Sequence, residues 1–221
     1  YHIDYTDNTV TGELCGVNDC SFHAHGNGTI GHMVSTYAIR LYAWSAYAFC
    51  DDSLQSTMNG YFDVDSRFEW LDKIIRPKLL ELKTLQEKIS FTEQALLKRL
   101  SDVRENTVVN DTIQNILINK GSLDIAKLAK KSFVSTRQLE RLFHEYVGIT
   151  PKKLSNLVRY QFLWRDILCE PDFDVLSAVY KFGYTDQSHL LREFKRYHSM
   201  DIHNAKIMAF KDVGNIQDVF V

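Results

Sequence analysis

Long apolar runs are missing from this chain. No stretch of 18 or more apolar residues occurs in its 221 positions, which excludes a transmembrane helix. The first residues, Tyr1-His2-Ile3-Asp4-Tyr5-Thr6-Asp7, carry neither a basic region nor an apolar one, so no secretory signal is expected and a cytoplasmic location is. The chain opens without Met, which fits a processed or trimmed start. Cysteine is sparse: Cys15, Cys20, Cys50 and Cys169 form no C-x-x-C pair and no zinc-ribbon spacing. Reduced thiols are the expectation, with a redox pair of Cys15 and Cys20 as the alternative. Enzyme signatures are lacking too. There is no G-x-S-x-G, P-loop, H-E-x-x-H or G-x-G-x-x-G, and no cysteine sits in Pro-Cys-His-Arg-like surroundings. No enzyme activity, cofactor or metal is expected.

What is present describes a globular protein with room for two domains: 45% hydrophobic and 24% charged residues over 221 positions. The net charge of −2 hides a division. From Lys120 to Lys211 there are 16 Lys and Arg against 10 Asp and Glu, whereas residues 1–106 hold 10 against 15. An acidic part joined to a basic one suits a protein whose basic part faces phosphate.

Residues 1 to about 65 are rich in Thr, Tyr, Val, Gly and Asn and contain no Pro. Val34-Ser35-Thr36-Tyr37-Ala38-Ile39-Arg40-Leu41-Tyr42 alternates partly in strand fashion, and Gly26-Asn27-Gly28 marks a turn. A small antiparallel sheet or partial barrel is expected. His23 and His25 would share one face of a strand with His32 nearby, but the full ligand set of a metal site is missing, so surface histidines are the reading. Tyr37, Tyr42, Trp44, Tyr47 and Phe49 are either core or the lining of a ligand pocket.

From Ser66 to Glu105 the pattern turns helical. Phe68, Leu71, Ile74 and Ile75 fall on one face before Pro77 interrupts. A second helix carries Ile89, Phe91, Ala95, Leu96, Leu97 and Leu100, with Lys98 and Arg99 near its end. It either packs on its own domain or dimerises. Ser101 to Asn110 reads as linker, with Asn110 capping a helix through Ile113, Ile116 and Leu117 that ends near Gly121.

Two similar helical units follow. In the first, Leu123–Lys131 is a short helix, Ser132–Ser135 a turn with Ser135 as N-cap, and Thr136–Tyr146 a second helix. Its inward residues are Leu139, Phe143 and Tyr146; Thr136, Arg137, Glu140 and Arg141 lie outward. In the second, Val175–Tyr180 leads through Gly183 to a helix capped by Asp186, with Leu190, Phe194 and Tyr197 inward. Gln187, Ser188, Leu191, Arg192 and Lys195 face out, residue types that bond base edges, touch a thymine methyl or pair with phosphate. A shift of 51 residues superposes Ser135 on Asp186, Leu139 on Leu190, Phe143 on Phe194 and Tyr146 on Tyr197. Pro151 opens the helix between them. From Lys152 to Cys169 that helix would run roughly 27 Å, against about 34 Å for one DNA turn.

Gly183-Tyr184-Thr185-Asp186-Gln187-Ser188-His189-Leu190, followed by Arg192-Glu193-Phe194-Lys195-Arg196, resembles the second helix-turn-helix signature of AraC-type transcription regulators. The resemblance covers about residues 107–210. It implies that Arg137, Glu140 and Arg141 in the first unit, and Gln187, Ser188, Leu191 and Arg192 in the second, stand at base-contacting positions. Lys130, Lys152, Lys153, Lys195 and Arg196 are the phosphate candidates. Lys130 aside, these residues with Thr136 and the caps Ser135 and Asp186 complete the expected DNA-binding set. Where the family has Gly and then Pro after the second recognition helix, this chain has Ser199 and Ile202.

The expected fold class is therefore α+β. Residues 1–105 form a regulatory and dimerisation domain, β-rich and partially cupin-like to about 65 and helical over 66–105. Residues 106–221 form an all-α domain with two helix-turn-helix units joined by a long helix. The expected function is sequence-specific DNA binding by a bacterial transcription regulator. Double-stranded DNA is the partner; RNA polymerase, a small-molecule effector and a second copy of the chain are further candidates, and no membrane is expected. The competing reading is a small-molecule- or metal-binding protein with an incidental helical domain.

Overall fold

The structure is a computed structural model that describes residues 1–20, 31–100, 106–170 and 172–211. Small antiparallel sheets come first and helices after them, a mixed α+β architecture. The chain forms two compact units: Tyr1–Val17, His23–Asn106 and Leu142–Gly148 make the first, and Asn18–Phe22, Thr107–Arg141 and Ile149–Val221 the second.

In the first unit, β1 (His2–Asp4) is the centre of a three-stranded sheet, flanked antiparallel by β2 (Thr9–Thr11) and β4 (Val34–Thr36). His2 lies opposite Thr11 on one side and Thr36 on the other. A separate pair joins β3 (Glu13–Cys15) to β5 (Tyr61–Asp63), with Leu14 opposite Phe62. The extended run expected from Val34 to Tyr42 is a strand only to Thr36. Beyond it Tyr37 turns into the core and its hydroxyl donates to Thr92 Oγ1 at 2.9 Å. The turn expected at Gly26-Asn27-Gly28, and His23 and His25, lie outside the described residues.

Tyr37 and Phe49 settle as core, together with Ile3, Leu54, Val64, Phe68, Leu71, Ile75 and Leu79. Tyr42 and Trp44 stack on each other with centroids 4.8 Å apart, and Tyr42 is exposed. Helix α1 (Asp65–Ile75) buries Phe68, Leu71 and Ile75 against this core. Ile74 does not join them. It is 41% exposed, because a helix turns 100° per residue and Ile75 already occupies the inward direction. Helix α2 (Lys78–Glu81) starts after Pro77, which stands at its N-cap.

Helix α3 (Leu85–Leu100) keeps part of its expected apolar face and loses the rest. Its buried residues are Lys88 and Thr92, one turn apart, while Leu97 and Leu100 are 66% and 46% exposed. Both buried polar groups are satisfied: the Tyr37 hydroxyl reaches Thr92, and Lys88 Nζ donates to the Tyr5 hydroxyl at 2.8 Å. Phe91, Ala95 and Leu96 pack partly buried against the core as expected, so Lys88 and Thr92 share that face with them while Leu97 and Leu100 stay outside it. Among the described residues Cys15, Cys20, Cys50 and Cys169 form no disulfide, and Cys15 and Cys20 are exposed.

The second unit is helical. Helix α4 (Thr107–Ile118) begins three residues before Asn110, which therefore lies inside the helix rather than at its cap. Val109, Ile113 and Ile116 form its buried stripe. The helix ends as expected at Gly121, whose N–H donates to the Ile116 carbonyl at 2.8 Å. Gly121 has φ +74°, and a Cβ there would stand 2.1 Å from the Ser155 carbonyl oxygen, so only glycine fits. The Ser155 hydroxyl donates back to the Gly121 carbonyl at 2.7 Å, fixing α4 to α7 (Pro151–Cys169).

Helix α7 is the scaffold of this unit. Leu154, Val158, Phe162, Leu163, Trp164 and Ile167 are buried along it. Thr150 caps it, accepting from Lys153 N–H at 3.2 Å, with Pro151 in the first turn where a missing N–H does no harm. Of the linker expected over Ser101–Asn110, residues 101–105 lie outside the described residues and 107–110 are already the first turn of α4, so the helix takes over part of the expected linker; the tail from 212 onward also lies outside them.

Candidate nucleic-acid interface

Two helix pairs carry the expected site. In the first, α5 (Ile125–Lys131) is capped by Asp124, whose carboxylate accepts from Ala126 and Lys127 N–H. The helix consequently starts two residues later than the apolar pattern beginning at Leu123. In the second, α8 (Val175–Phe182) is capped by Asp174, which accepts from Ser177 N–H at 2.7 Å.

Both leading helices end in the same hydrogen-bond pattern. Val134 N–H reaches back to the Ala129 carbonyl at 3.1 Å and Phe133 N–H to Lys130; Tyr184 N–H reaches Val179 at 3.0 Å and Gly183 N–H reaches Tyr180. This six-to-one and five-to-two pairing places one residue in the left-handed region. Here those residues are Phe133 at φ +56° and Gly183 at φ +67°. The chain has used glycine at one turn and phenylalanine at the other, and Phe133 is left 97% exposed.

The following helices are the candidate readers. Ser135 caps α6 (Thr136–Tyr146), its hydroxyl accepting from Gln138 N–H at 3.1 Å. Asp186 caps α9 (Gln187–His198), accepting from His189 N–H at 2.7 Å. Leu139 and Phe143 of α6, and Leu190 and Phe194 of α9, are at most 1% exposed, so each helix turns the expected stripe inward. The residues left outside are Thr136, Arg137, Glu140 and Arg141 on α6, and Gln187, Ser188, Leu191, Arg192, Lys195 and Arg196 on α9, all exposed. Lys152 and Lys153 are exposed in the first turn of α7, and Lys130 is exposed on α5.

The third anchor of the repeat diverges. Tyr197 is 7% exposed and stacks on Tyr160 of α7 with centroids 4.2 Å apart; burial, followed by the Glu193 charge, pushes its hydroxyl up to about 12. Tyr146 is only partly buried and packs on Tyr47 at 4.4 Å, within the first unit. The expectation that Tyr146 closes the core of the first helix-turn-helix is therefore corrected. The neighbouring chain decides which ring is enclosed, and the heptad-like spacing carries no information about that.

A buried charge cluster behind α9 was not signalled by any motif. Arg159 of α7 directs one terminal nitrogen at both carboxylate oxygens of Glu193, at 3.0 and 2.9 Å. The Tyr184 hydroxyl donates to Glu193 at 3.0 Å, and the guanidinium carbon lies 4.2 Å from the Tyr184 ring centroid. Burial, reinforced by the Glu193 charge, raises the Tyr184 hydroxyl, which stays a proton donor. The second turn holds two residues, Tyr184 and Thr185, between its left-handed residue and its N-cap, where the first holds only Val134. That extra residue lets Tyr184 fold inward onto Glu193.

At the far end of α9, Ser199 stands at φ +57°, the left-handed position, and its N–H donates to the Lys195 carbonyl at 2.7 Å. The helix α10 (Ile202–Lys211) begins normally although Pro is missing, because Asp201 accepts from Asn204 N–H at 2.9 Å.

Two of the expected phosphate-contacting residues are engaged inside the protein. Arg196 Nη2 lies 2.9 Å from Asp19 Oδ2, and Lys153 Nζ lies 3.9 Å from the same oxygen. Among the described residues no acid pairs with Arg137, Arg141, Lys152, Arg192 or Lys195. In the first unit, His32 pairs with Asp4 at 2.7 Å and lies 3.7 Å from Asp7. That hydrogen bond holds the Asp4 carboxyl below its ordinary range and the imidazole above its own.

Comparison with known proteins agrees with this geometry. A family described as "Helix-turn-helix domain" matches residues 128–204, which run from within α5 into α10. A protein of Haemophilus influenzae named "Uncharacterized HTH-type transcriptional regulator" is 27% identical over 111 residues, covering 50% of this chain and 36% of that protein. The chain thus aligns with little more than a third of the length of the curated relative it matches. No solved structure matches.

Proposed function

We propose that the chain is a sequence-specific DNA-binding transcription regulator of the AraC type that its sequence resembles; the match of residues 128–204 to a helix-turn-helix domain supports this reading. In this reading residues 106–221 bind DNA and residues 1–105 regulate that binding. The single observation that carries it is the repeated construction of α6 and α9. Each is capped at its start by a short polar side chain, sealed by a fully buried Leu and Phe, and left with an exposed polar face: Thr136, Arg137, Glu140 and Arg141 on α6, and Gln187, Ser188, Arg192 and Lys195 on α9. Such a helix keeps its base-reading groups in water only until a major groove replaces it.

The roles follow from donor and acceptor geometry. Arg137, Arg141 and Arg192 can each give two parallel hydrogen bonds to guanine O6 and N7; Gln187 can bracket adenine N6 and N7; Glu140 can accept from cytosine N4. Leu191 offers a methyl contact to thymine. Ser188 and Thr136 bond either a base or the backbone. Lys152, Lys153, Lys195 and Arg196 meet phosphate, where they set register rather than sequence. The caps Ser135 and Asp186 act through helix position. Helix α7 is the stiff connection that presents two readers from one chain to adjacent groove segments. DNA is the partner this chemistry recognises.

The test is operator preference at fixed salt. Selection from a random duplex library defines a preferred site, and the ratio of its affinity to that for random DNA is then measured. Replacing Arg137 and Arg192 together by Ala is expected to lower that ratio by roughly 1–3 kcal/mol per lost bidentate pair. A ratio unchanged in the double variant removes α6 and α9 as the readers.

A further inference from the structure

Asp19 lies 177 residues before Arg196 in sequence, yet it sits on the basic end of the second unit. Its neighbours Asn18 and Cys20 group with that unit too, whereas the chain up to Val17 belongs to the first. The Oδ2 atom of its carboxylate is shared by two cations from different helices: Arg196 in the last turn of α9, at 2.9 Å, and Lys153 in the first turn of α7, at 3.9 Å. Arg196 Nε also faces the Asp19 main-chain oxygen at 3.4 Å. The Asp19 side chain is only 16% exposed, while Arg196 and Lys153 are about half exposed. An anionic oxygen is thus held between two partly solvated cations. That arrangement is the one a nucleic-acid phosphate needs when an Arg and a Lys converge on it.

We propose that the Asp19 carboxylate occupies a backbone-phosphate position on the DNA-binding unit, so that Asp19 and duplex DNA compete for Arg196 and Lys153. The inference rests on the DNA-binding reading above and adds a built-in brake to it. Two features of the surroundings support competition over simple bracing. Arg137, Arg141, Lys152, Arg192 and Lys195 have no acidic partner among the described residues, so neutralisation falls selectively on the pair that converges on one anion. Asp19 meets Arg196 through its carboxylate and its main-chain carbonyl, and both kinds of oxygen can be exchanged for phosphate oxygens.

Competition has a measurable form. When Asp19 is removed, two cations become available to phosphate, and each neutralised phosphate adds about 0.9 to the magnitude of the slope of log K against log salt. The experiment uses the full chain and a 30-base-pair duplex of random sequence, titrated by fluorescence anisotropy at several salt concentrations. The variants are Asp19→Asn, Asp19→Glu, Asp19→Asn with Arg196→Gln, and Arg196→Gln alone.

Asp19→Asn is expected to bind several-fold more tightly at low salt, with a steeper slope by about one to two. Asp19→Glu, which keeps the charge, should stay close to the parent chain. The gain of Asp19→Asn should largely vanish when Arg196→Gln is added. Thermal unfolding of each variant separates loss of folding from loss of binding. Equal or weaker binding by a folded Asp19→Asn chain overturns the brake and leaves the DNA-binding reading standing. An Asp19→Asn chain that unfolds assigns Asp19 a bracing role and overturns the brake as well. Absence of binding in every folded variant removes the DNA-binding reading and this inference with it.

Discussion

Arg159 of α7 and Glu193 of α9 meet across the second unit through two contacts of 2.9 and 3.0 Å, both side chains buried and Tyr184 completing the cluster. The pair joins the scaffold helix to the back of the helix that carries Gln187 and Arg192. Its position explains how α9 is held in rotation about its own axis. Leu190 and Phe194 define which face turns inward, and the directional charge contact on the next residue fixes the angle.

Breaking that pair from one side should be far worse than replacing both members. Glu193→Ala leaves a buried guanidinium without its counter-charge, an effect of about 3–5 kcal/mol in comparable sites. The double variant Arg159→Met, Glu193→Leu should lose much less, because no charge is then stranded. Urea unfolding of the two singles and the double gives the coupling directly. Single variants within 1 kcal/mol of the parent would mean that the cluster is solvated and does not orient α9.

The two turns make opposite predictions for glycine. Phe133 bears a left-handed backbone at φ +56° with its ring 97% exposed. The conformation disfavours a residue with a Cβ by roughly 1–2 kcal/mol, while glycine's extra unfolded-state freedom takes back about 0.5–1. Phe133→Gly is therefore expected to raise stability by a few tenths to about 1 kcal/mol. Gly183→Ala at φ +67° should lower stability by about 1 kcal/mol or more, since the added Cβ would also meet Ser122 Oγ at 2.4 Å. Thermal unfolding midpoints decide both. A stabilised Gly183→Ala would show that the second turn does not need the left-handed residue.

Two histidines should titrate in opposite directions. His198 is stacked on Phe194 at 4.5 Å and lies 4.3 Å from Trp164, and its buried Nε2 has no hydrogen-bond partner among the described residues. Burial lowers its pKa from 6.5 to about 4. Between those values the unfolded chain binds a proton that the folded chain refuses, so stability falls as pH drops from 6.5 towards 4 and is untouched by this group above 6.5. His198→Phe should flatten that part of the profile. His32, hydrogen-bonded to Asp4, is raised instead; its contribution is full below the unfolded value and is lost as pH rises through the folded one. NMR titration of the two imidazoles checks both signs, and Asp4→Asn should return His32 towards its ordinary value.

Much of the second unit could be read directly from residue order. The caps Ser135 and Asp186, Pro151 in the first turn of α7, the α6 boundaries, the left-handed Gly183 and the inward Leu and Phe pairs all appeared where the pattern put them. Reading failed at Asn110 and Leu123, where a stronger cap or an earlier start displaced the expected one. It failed again at Leu97 and Leu100, where two buried polar residues of α3 found partners on Tyr5 and Tyr37. No periodicity records whether a distant hydroxyl is waiting.

The division follows the range of the interactions. Caps, helix ends and amphipathic stripes depend on hydrogen bonds and spacings within about six residues, so the order of amino acids alone determines them. Which tyrosine is enclosed, which charge is buried and which cation is already occupied depend on encounters such as Tyr146 with Tyr47, Arg159 with Glu193 and Asp19 with Arg196. Those meetings are between segments far apart in the chain. Only the folded packing brings them within reach, because charge and aromatic contacts act over a few ångströms of space whatever the distance along the backbone.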